Sequence, residues 1–229
     1  MKYHVEFDLE FKKNPYKGRY IVLEGVNASG KSTQAKKLKE YFQKKGIDIL
    51  TVDEPTHDLI IGKFVRKIIT EGTQIPRSAL QYLYTADRII NHESVILPAL
   101  EAGKVVLSSR SFWSAVVYGV VDQGKHNYSR PDANLLLVAQ GILSQYHKIT
   151  LPDYTFYLDT PVDLVIERMA KMNNTKDIYE TKEKLDQLLR GYRWLVKEFP
   201  QEFTTIDASK SVEDVTTQIT NVVNKHFSR

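Results

Sequence analysis

Apolar and polar residues follow two different spacings along most of this 229-residue chain. Short apolar runs bounded by turn residues predict buried strands at residues 20–23, 47–52, 105–108, 154–158 and 203–206. Between these runs, apolar residues recur at helical spacing, which predicts helices at about 32–45, 59–70, 76–102, 111–121, 131–146, 161–172, 178–199 and 212–226. Strands that alternate with helices indicate an α/β fold. We expect a five-stranded parallel sheet with helices on both faces and ligands at the carboxyl ends of its strands.

Residues 2–11 follow a different pattern, the strict alternation typical of a half-buried strand. Every second residue there is apolar: Tyr3, Val5, Phe7, Leu9 and Phe11. We therefore divide the chain into an N-terminal extension, residues 1–18, and a single domain, residues 19–229. An added edge strand or a subunit contact is favoured over a disordered tail, because a tail rarely keeps five apolar residues in register.

The octapeptide that follows the first strand, residues 25–32, matches the phosphate-binding pattern G-x-x-x-x-G-K-[ST] in full. Its two glycines let backbone N–H groups turn inward around phosphates, and the helix that follows adds a partial positive charge. The lysine reaches the outer phosphates, and the Ser32 hydroxyl is suited to ligate magnesium. The sequence thus predicts an ATP site formed by Gly25, Val26, Asn27, Ala28, Ser29, Gly30, Lys31, Ser32 and Thr33.

Composition narrows the class of protein. The chain has no cysteine, which excludes thiol catalysis, zinc–thiolate sites and disulfides. The net charge of +4 comes from scattered lysines rather than a dense basic block with interleaved aromatics, so no nucleic-acid partner is expected. The sequence contains no 20-residue apolar span and no cleavable signal, so we expect a cytoplasmic enzyme without a membrane partner.

Several further segments occur in a fixed order. They are EGVNASGKSTQ, EPT, ADR followed by ALEAGKVVLSSRS, then PDYTFYLDTP, KDIYE and IDASKSVEDV. In this order the series resembles the thymidylate kinase family of P-loop nucleoside monophosphate kinases, over about residues 19–226. The resemblance implies a P-loop kinase fold with a lid at about residues 171–180, and a homodimer. It also implies phosphoryl transfer from ATP to thymidine monophosphate (dTMP) with magnesium. Deoxyuridine monophosphate (dUMP) stays open as a second acceptor, because one methyl group changes binding by little more than about 1 kcal/mol.

The resemblance also implies roles for individual residues. The cations that assist transfer would be Lys31, Arg110, Arg168, Lys171 and Lys176. The acceptor site would contain Asn27, Glu54, Pro55, Tyr84, Arg88, Arg110, Ser114, Tyr118, Asp177, Tyr179 and Glu180. Ser32 would be the metal ligand.

Within the acceptor set, the family places an aromatic residue on the thymine at Tyr84 and an arginine near the base and phosphate at Arg88. Arg110 corresponds to the arginine that grips the acceptor phosphate. Tyr118 corresponds to the aromatic residue beneath the deoxyribose that crowds out a 2′-hydroxyl, and Asn27 lies close to the sugar 3′-hydroxyl.

Structural roles stay open for several of these residues. Tyr84 and Tyr118 are alternatively core residues, because aromatic side chains at helical spacing usually pack inside. Arg88 is alternatively a solvated helix residue. Asp177 and Glu180 are alternatively an ordinary helix start, which carboxylates favour.

The chain departs from the family pattern near the expected magnesium site. Ser109 stands where the family has an aspartate that holds a magnesium-bound water, and Glu24 or Glu54 are alternative carboxylates for that role. Asn27 replaces a carboxylate. Ala28 replaces an arginine found in some members, so the missing positive charge must come from the lid.

Two other functions are compatible with parts of this sequence. A deoxynucleoside kinase acting on thymidine has a similar phosphate loop, but it needs a carboxylate base, for which Glu54 is the candidate. A non-catalytic ATP-binding switch ranks last.

Overall fold

The computed structural model describes residues 6, 8, 10–124, 128, 133–172 and 181–227. Its centre is a sheet of five strands: β1 (Arg19–Glu24), β2 (Ile49–Val52), β3 (Val105–Ser108), β4 (Tyr154–Asp159) and β5 (Phe203–Asp207). All neighbouring pairs are parallel, in the order β2-β3-β1-β4-β5. The predicted five-stranded parallel sheet is confirmed.

Helices connect the strands of this sheet. They are α1 (Lys31–Lys44), α2 (Ile60–Glu71), α3 (Arg77–Asn91), α4 (Leu97–Glu101), α5 (Phe112–Asp122), α6 (Ala133–Leu143), α7 (Val162–Lys171), α8 (Lys182–Glu198) and α9 (Val212–Phe227). None of the described helices is both long and apolar enough to cross a membrane.

Among the element boundaries that differ from the sequence pattern, two have clear local reasons. The predicted helix at 76–102 is divided into α3 and α4 by a π-helical turn, His92–Ile96. Pro98 follows that turn, and a proline lacks the N–H and crowds the carbonyl group of the preceding turn in a regular helix. Strand β2 begins at Ile49, because the Ile47 N–H still bonds to the Phe42 carbonyl and closes the end of α1.

The apolar residues of β1 point to both faces of the sheet, as expected for a central parallel strand. Ile21 and Leu23 pack with Leu38 and Phe42 of α1. Tyr20 and Val22 pack on the opposite face, with Leu100 of α4 in the same cluster. The sheet is thus covered on both sides, and its carboxyl edge is where chemistry can be placed.

Of the predicted N-terminal strand, residues 2–11, residues 2–5, 7 and 9 lie outside the described part, so that strand and the domain division at residue 18 stay predictions. Of the described extension, Phe11 stacks on Phe112 with ring centroids 5.7 Å apart. The Lys12 carbonyl accepts a hydrogen bond from the Leu151 N–H at 2.7 Å. The end of the extension therefore packs onto the domain.

Candidate active site

The phosphate loop leaves the carboxyl end of β1 and runs into α1. Gly25 and Gly30 have φ angles of 142° and 105°, and Ala28 has φ 58°, so the backbone turns repeatedly through conformations that side chains disfavour. A Cβ at Gly25 would lie 2.8 Å from the Ser29 hydroxyl oxygen and 3.2 Å from the Leu158 carbonyl oxygen. A glycine is therefore required at the first position of this loop.

Lys31, the first residue of α1, folds over the loop. Its Nζ donates to the carbonyl oxygens of Gly25 at 2.9 Å and Val26 at 2.7 Å. Burial lowers the pKa of Lys31, and the nearby Arg110 charge lowers it further. The ammonium group is held inside the curve of the loop, where the pattern predicted a phosphate ligand.

Arg168 of α7 also contacts the phosphate loop. Its guanidinium donates to the Ala208 carbonyl at 2.9 Å and to the Ser29 carbonyl at 3.4 Å. Lys171, at the end of α7, is exposed and pairs with Glu167 at 2.6 Å. Of the predicted lid and acidic residues, Lys176, Asp177, Tyr179 and Glu180 lie outside the described part of the chain.

A cavity of about 1110 Å³ opens above the loop. Residues 27–33 line it, together with 168–172, Asp53, Ser109 and Arg110. Gly25 and Val26 are not among the lining residues, and the Val26 side chain packs in the core with Phe112 and Trp113. Seven of the nine predicted ATP-site residues thus line this cavity, and the other two act beneath it through their backbone.

Arg110 connects the loop to a second, smaller cavity. Its guanidinium donates to the Gly25 carbonyl and the Ser114 hydroxyl, both at 3.2 Å, and to the Asn27 side-chain oxygen at 2.7 Å. The same group lies over the Tyr118 ring, 5.1 Å from its centroid. Burial acts to lower the pKa of Arg110, but Tyr118, Tyr192 and Glu24 raise it more, so the group stays charged.

Glu24, at the end of β1, holds the start of α5 in place. It is fully buried and accepts hydrogen bonds from the Ser111 N–H and hydroxyl, both at 2.8 Å, and from the Ser114 hydroxyl at 2.6 Å. Tyr192 of α8 donates to its second oxygen at 3.0 Å. A buried carboxylate at a helix N-terminus is favourable, and here it fixes the position of Arg110.

Arg88 and Glu54 form a buried ion pair through the Arg88 Nε. Arg88 also donates to the Tyr146 hydroxyl at 2.8 Å. Burial raises the pKa of Glu54 against the opposing effect of Arg88, while the second oxygen of Glu54 has no hydrogen-bond partner among the described residues. Arg88 is 5% exposed, so the alternative that it is a solvated helix residue is wrong.

Two residues that the sequence did not single out shape the loop after β2. Asp87 accepts hydrogen bonds from the Thr56 N–H at 2.8 Å and its hydroxyl at 2.6 Å. Arg66 of α2 donates to the Thr56 carbonyl at 3.2 Å and also to the Pro55 carbonyl. Asp87 was visible in the ADR segment without a role, whereas Arg66 carries no local signal because an arginine on a helix is usually solvated.

The smaller cavity has a volume of about 290 Å³. It brings together eight of the predicted acceptor residues: Asn27, Glu54, Pro55, Tyr84, Arg88, Arg110, Ser114 and Tyr118. Tyr84 and Tyr118 are half-buried, and each both lines this cavity and packs against a core cluster. Gln81, Arg66, Ile69, Thr70 and Ala115 complete the lining.

The two cavities meet at four residues that line both: Asn27, Glu54, Arg66 and Arg110. A phosphate loop above a parallel sheet, with a second cavity opening beside it at the half-buried Arg110, defines the class of P-loop nucleotide kinases. Residues 23–219 match the family model described as thymidylate kinase. The chain belongs to the thymidylate kinase family, and it is therefore an ATP-dependent nucleoside monophosphate kinase.

Relatives and a solved structure agree with this membership. The chain is 36% identical over 217 residues to a probable thymidylate kinase of Pyrococcus horikoshii, covering 92% of this chain and 97% of that protein. It is 32% identical over 210 residues to a thymidylate kinase of Fervidobacterium nodosum, covering 91% of this chain and all of that protein. The structure of a thymidylate kinase from Candida albicans has the same fold, with a TM-score of 0.76 at 21% identity over 91% of this chain and 92% of that one.

Proposed function

We propose that this chain transfers the γ-phosphoryl group of ATP to dTMP, producing ADP and thymidine diphosphate, with magnesium. Family membership supports the type of reaction and the acceptor. The observation that supports neighbouring donor and acceptor sites is the junction of the two cavities. Four residues line both of them: Asn27, Glu54, Arg66 and Arg110. Phosphoryl transfer requires two nucleotides aligned end to end, and that junction is where donor and acceptor phosphates would meet.

The larger cavity is the proposed donor site. Backbone N–H groups of the loop surround the ATP phosphates, and Lys31 exchanges its loop carbonyl partners for the outer phosphates. Arg168 lies at the same loop and adds a second positive charge. Little covalent chemistry is required of the protein, because positioning and charge neutralisation account for most of the catalysis in this class of reaction.

The smaller cavity is the proposed acceptor site. Arg110 binds the acceptor phosphate, since its forked donors match phosphate oxygens and it lies beside the loop. Tyr84 stacks on the base, Arg88 lies near the base, Tyr118 supports the sugar and Asn27 lies near the 3′-hydroxyl. The Arg88–Glu54 pair supports a monophosphate acceptor, because it neutralises the carboxylate that a nucleoside kinase would use as its base.

Magnesium fits the oxygen groups of the donor cavity. The Ser32 hydroxyl and the Asp53 carboxylate both line it, and the Ser109 hydroxyl donates a hydrogen bond to Asp53. Glu24 is enclosed by its own donors and Glu54 is paired with Arg88, so Asp53 is the exposed carboxylate among the described residues of this site. Ser32 would thus hold the ion together with ATP phosphates and waters, and Asp53 would bind one of those waters. When bound, magnesium neutralises charge on the phosphates.

We also propose that the chain acts in the cytoplasm as a homodimer, without nucleic-acid or membrane partners. The dimer is supported by large apolar side chains exposed on helices: Ile60 at 84% and Phe64 at 50% on α2, Tyr82 at 66% on α3, and Leu137 at 71% on α6. Light scattering should give twice the mass of the chain, and Phe64→Glu should shift the protein toward the monomer. A wild-type monomer would contradict the dimer.

A substrate panel tests the proposed activity. Purified protein with ATP and magnesium is offered dTMP, dUMP, deoxycytidine monophosphate (dCMP) and thymidine, and the products are separated chromatographically. We expect thymidine diphosphate from dTMP and no product from thymidine. Phosphorylation of thymidine without phosphorylation of dTMP would establish the nucleoside kinase alternative instead.

A further inference from the structure

Gln81 is an uncharged polar side chain in the wall of the acceptor cavity. Gln81 lies on α3 three residues before Tyr84 and seven before Arg88, spacings that place all three on one face of the helix. All three residues line the smaller cavity. Gln81 therefore belongs to the same wall as the proposed base-binding residues.

The orientation of the Gln81 amide follows from its neighbour on α5. Its Nε2 lies 3.4 Å from the Ala115 carbonyl oxygen. A carbonyl oxygen only accepts hydrogen bonds, so the amide nitrogen, not the amide oxygen, must face it. The amide carbon also lies 3.5 Å from the place where a Cβ at Gly119 would be, so the missing side chain leaves room for it against α5.

The opposite end of this amide is its oxygen, Oε1. No described residue donates a hydrogen bond to Oε1. Other strong acceptors of the cavity are engaged or inaccessible: the Asn27 side-chain oxygen accepts from Arg110, one Glu54 oxygen accepts from Arg88, and the other Glu54 oxygen is fully buried. Gln81 thus supplies a neutral acceptor of fixed direction beside Tyr84 and Arg88.

We propose that Gln81 Oε1 accepts the N3–H of the acceptor's base and thereby selects thymine and uracil over cytosine. This inference rests on the proposed function. Thymine and uracil carry a hydrogen on N3, whereas cytosine presents a lone pair there. To donate to cytosine, the amide would have to rotate and point Oε1 at the Ala115 carbonyl, which sets two acceptors against each other.

The test compares wild type with Gln81→Leu, which keeps the bulk of the side chain and removes its hydrogen bonds. The acceptors are dTMP, dUMP, dCMP and dTMP methylated at N3. We expect kcat/KM for dTMP and dUMP to fall about tenfold, and the dTMP-to-dCMP ratio to fall by at least as much. The penalty for N3 methylation should shrink by a similar factor, while the dTMP-to-dUMP ratio stays constant because both bases share the N3–H.

Gln145→Leu is the matched control. Gln145 is half-buried and accepts a hydrogen bond from Thr85 of α3 at 3.0 Å, but it does not line the cavity. Its replacement should leave all acceptor ratios unchanged. If Gln81→Leu does not fold, Gln81→Met serves for the same comparison.

An equal loss for every acceptor in Gln81→Leu would overturn the inference and would make Gln81 a structural support of α5. A ratio change of the same size in Gln145→Leu would overturn it as well. Both results require a wild-type enzyme that phosphorylates dTMP. A wild type without that activity would instead contradict the proposed function.

Discussion

The two nucleotide sites of this protein are built in opposite ways. The donor loop is one continuous stretch, residues 25–32, and Lys31 bonds within it to Gly25 and Val26, although Arg110 and Arg168 also reach it from distant elements. The acceptor cavity collects side chains from the end of β2, from α2, from α3 and from α5, which span much of the chain.

The forces that hold the two sites also differ. The loop depends on backbone conformation, including positive φ angles at Gly25 and Gly30. The acceptor cavity depends on buried polar pairs, of which Arg88 with Glu54 and Asp87 with Thr56 are the clearest. Changes in the loop should therefore affect transfer to every acceptor alike, whereas changes in the cavity should alter which acceptor is used.

The largest expected effect is on the donor side. Lys31→Met should lower kcat on the order of 10²–10³-fold for every acceptor, because it removes a positive charge aimed at the transferring group. Thermal unfolding should show a folded protein. Lys36→Met, an exposed lysine on the same helix, is the control and should keep full activity. Substantial turnover in folded Lys31→Met would refute the assignment.

Arg110 lines both the donor cavity and the acceptor cavity, so its replacement tests which substrate it binds. Arg110→Ala should lower kcat/KM for dTMP roughly 10- to 100-fold, with a higher KM for the acceptor and a lower kcat, because binding and alignment share one contact. Steady-state kinetics with each substrate varied in turn separate these constants. If the KM for ATP alone changed, Arg110 would belong to the donor site.

Replacing Tyr118 should change the selectivity among acceptors. Tyr118→Ala should raise the ratio of kcat/KM for uridine monophosphate over dUMP about tenfold, because it opens space for a 2′-hydroxyl while the base stays the same. Tyr118→Phe keeps the ring and should keep the wild-type ratio. An unchanged ratio in Tyr118→Ala would leave Tyr118 with a structural role.

The smallest expected effect is that of Asp53→Asn on the magnesium requirement. Asp53→Asn should raise the half-saturating magnesium concentration roughly threefold at saturating dTMP, because an exposed carboxylate acts on the ion through water. Binding of the magnesium–ATP complex, measured by calorimetry, should weaken in parallel. Asp58→Asn, an exposed carboxylate outside the cavity, is the control. Identical magnesium curves for wild type and Asp53→Asn would exclude Asp53.

The contrast between the donor loop and the acceptor cavity also explains which features could be predicted from the sequence. The strands, the helices and the phosphate loop depend on local spacing and local backbone chemistry, so periodicity and a motif were enough for them. The acceptor residues came from an ordered resemblance rather than from the residues themselves. Arg66 and Gln81 line the cavity without any local signal, because an ordinary helical position becomes functional only through what packs beside it.

Ser109 illustrates the limit of prediction from sequence alone. The sequence shows that Ser109 carries no charge, and it offered Glu24 or Glu54 as the replacement carboxylate, whereas the structure encloses Glu24 among its donors and pairs Glu54 with Arg88. The parallel register pairs Val52 with Ser108, so the next residue of each strand end, Asp53 and Ser109, comes to lie side by side across 56 positions of sequence. The sequence by itself determined the elements and the donor loop, because those depend on neighbours in the chain. Only the tertiary structure decided which carboxylate is exposed in the donor cavity, because strand order and register are set by packing between distant segments.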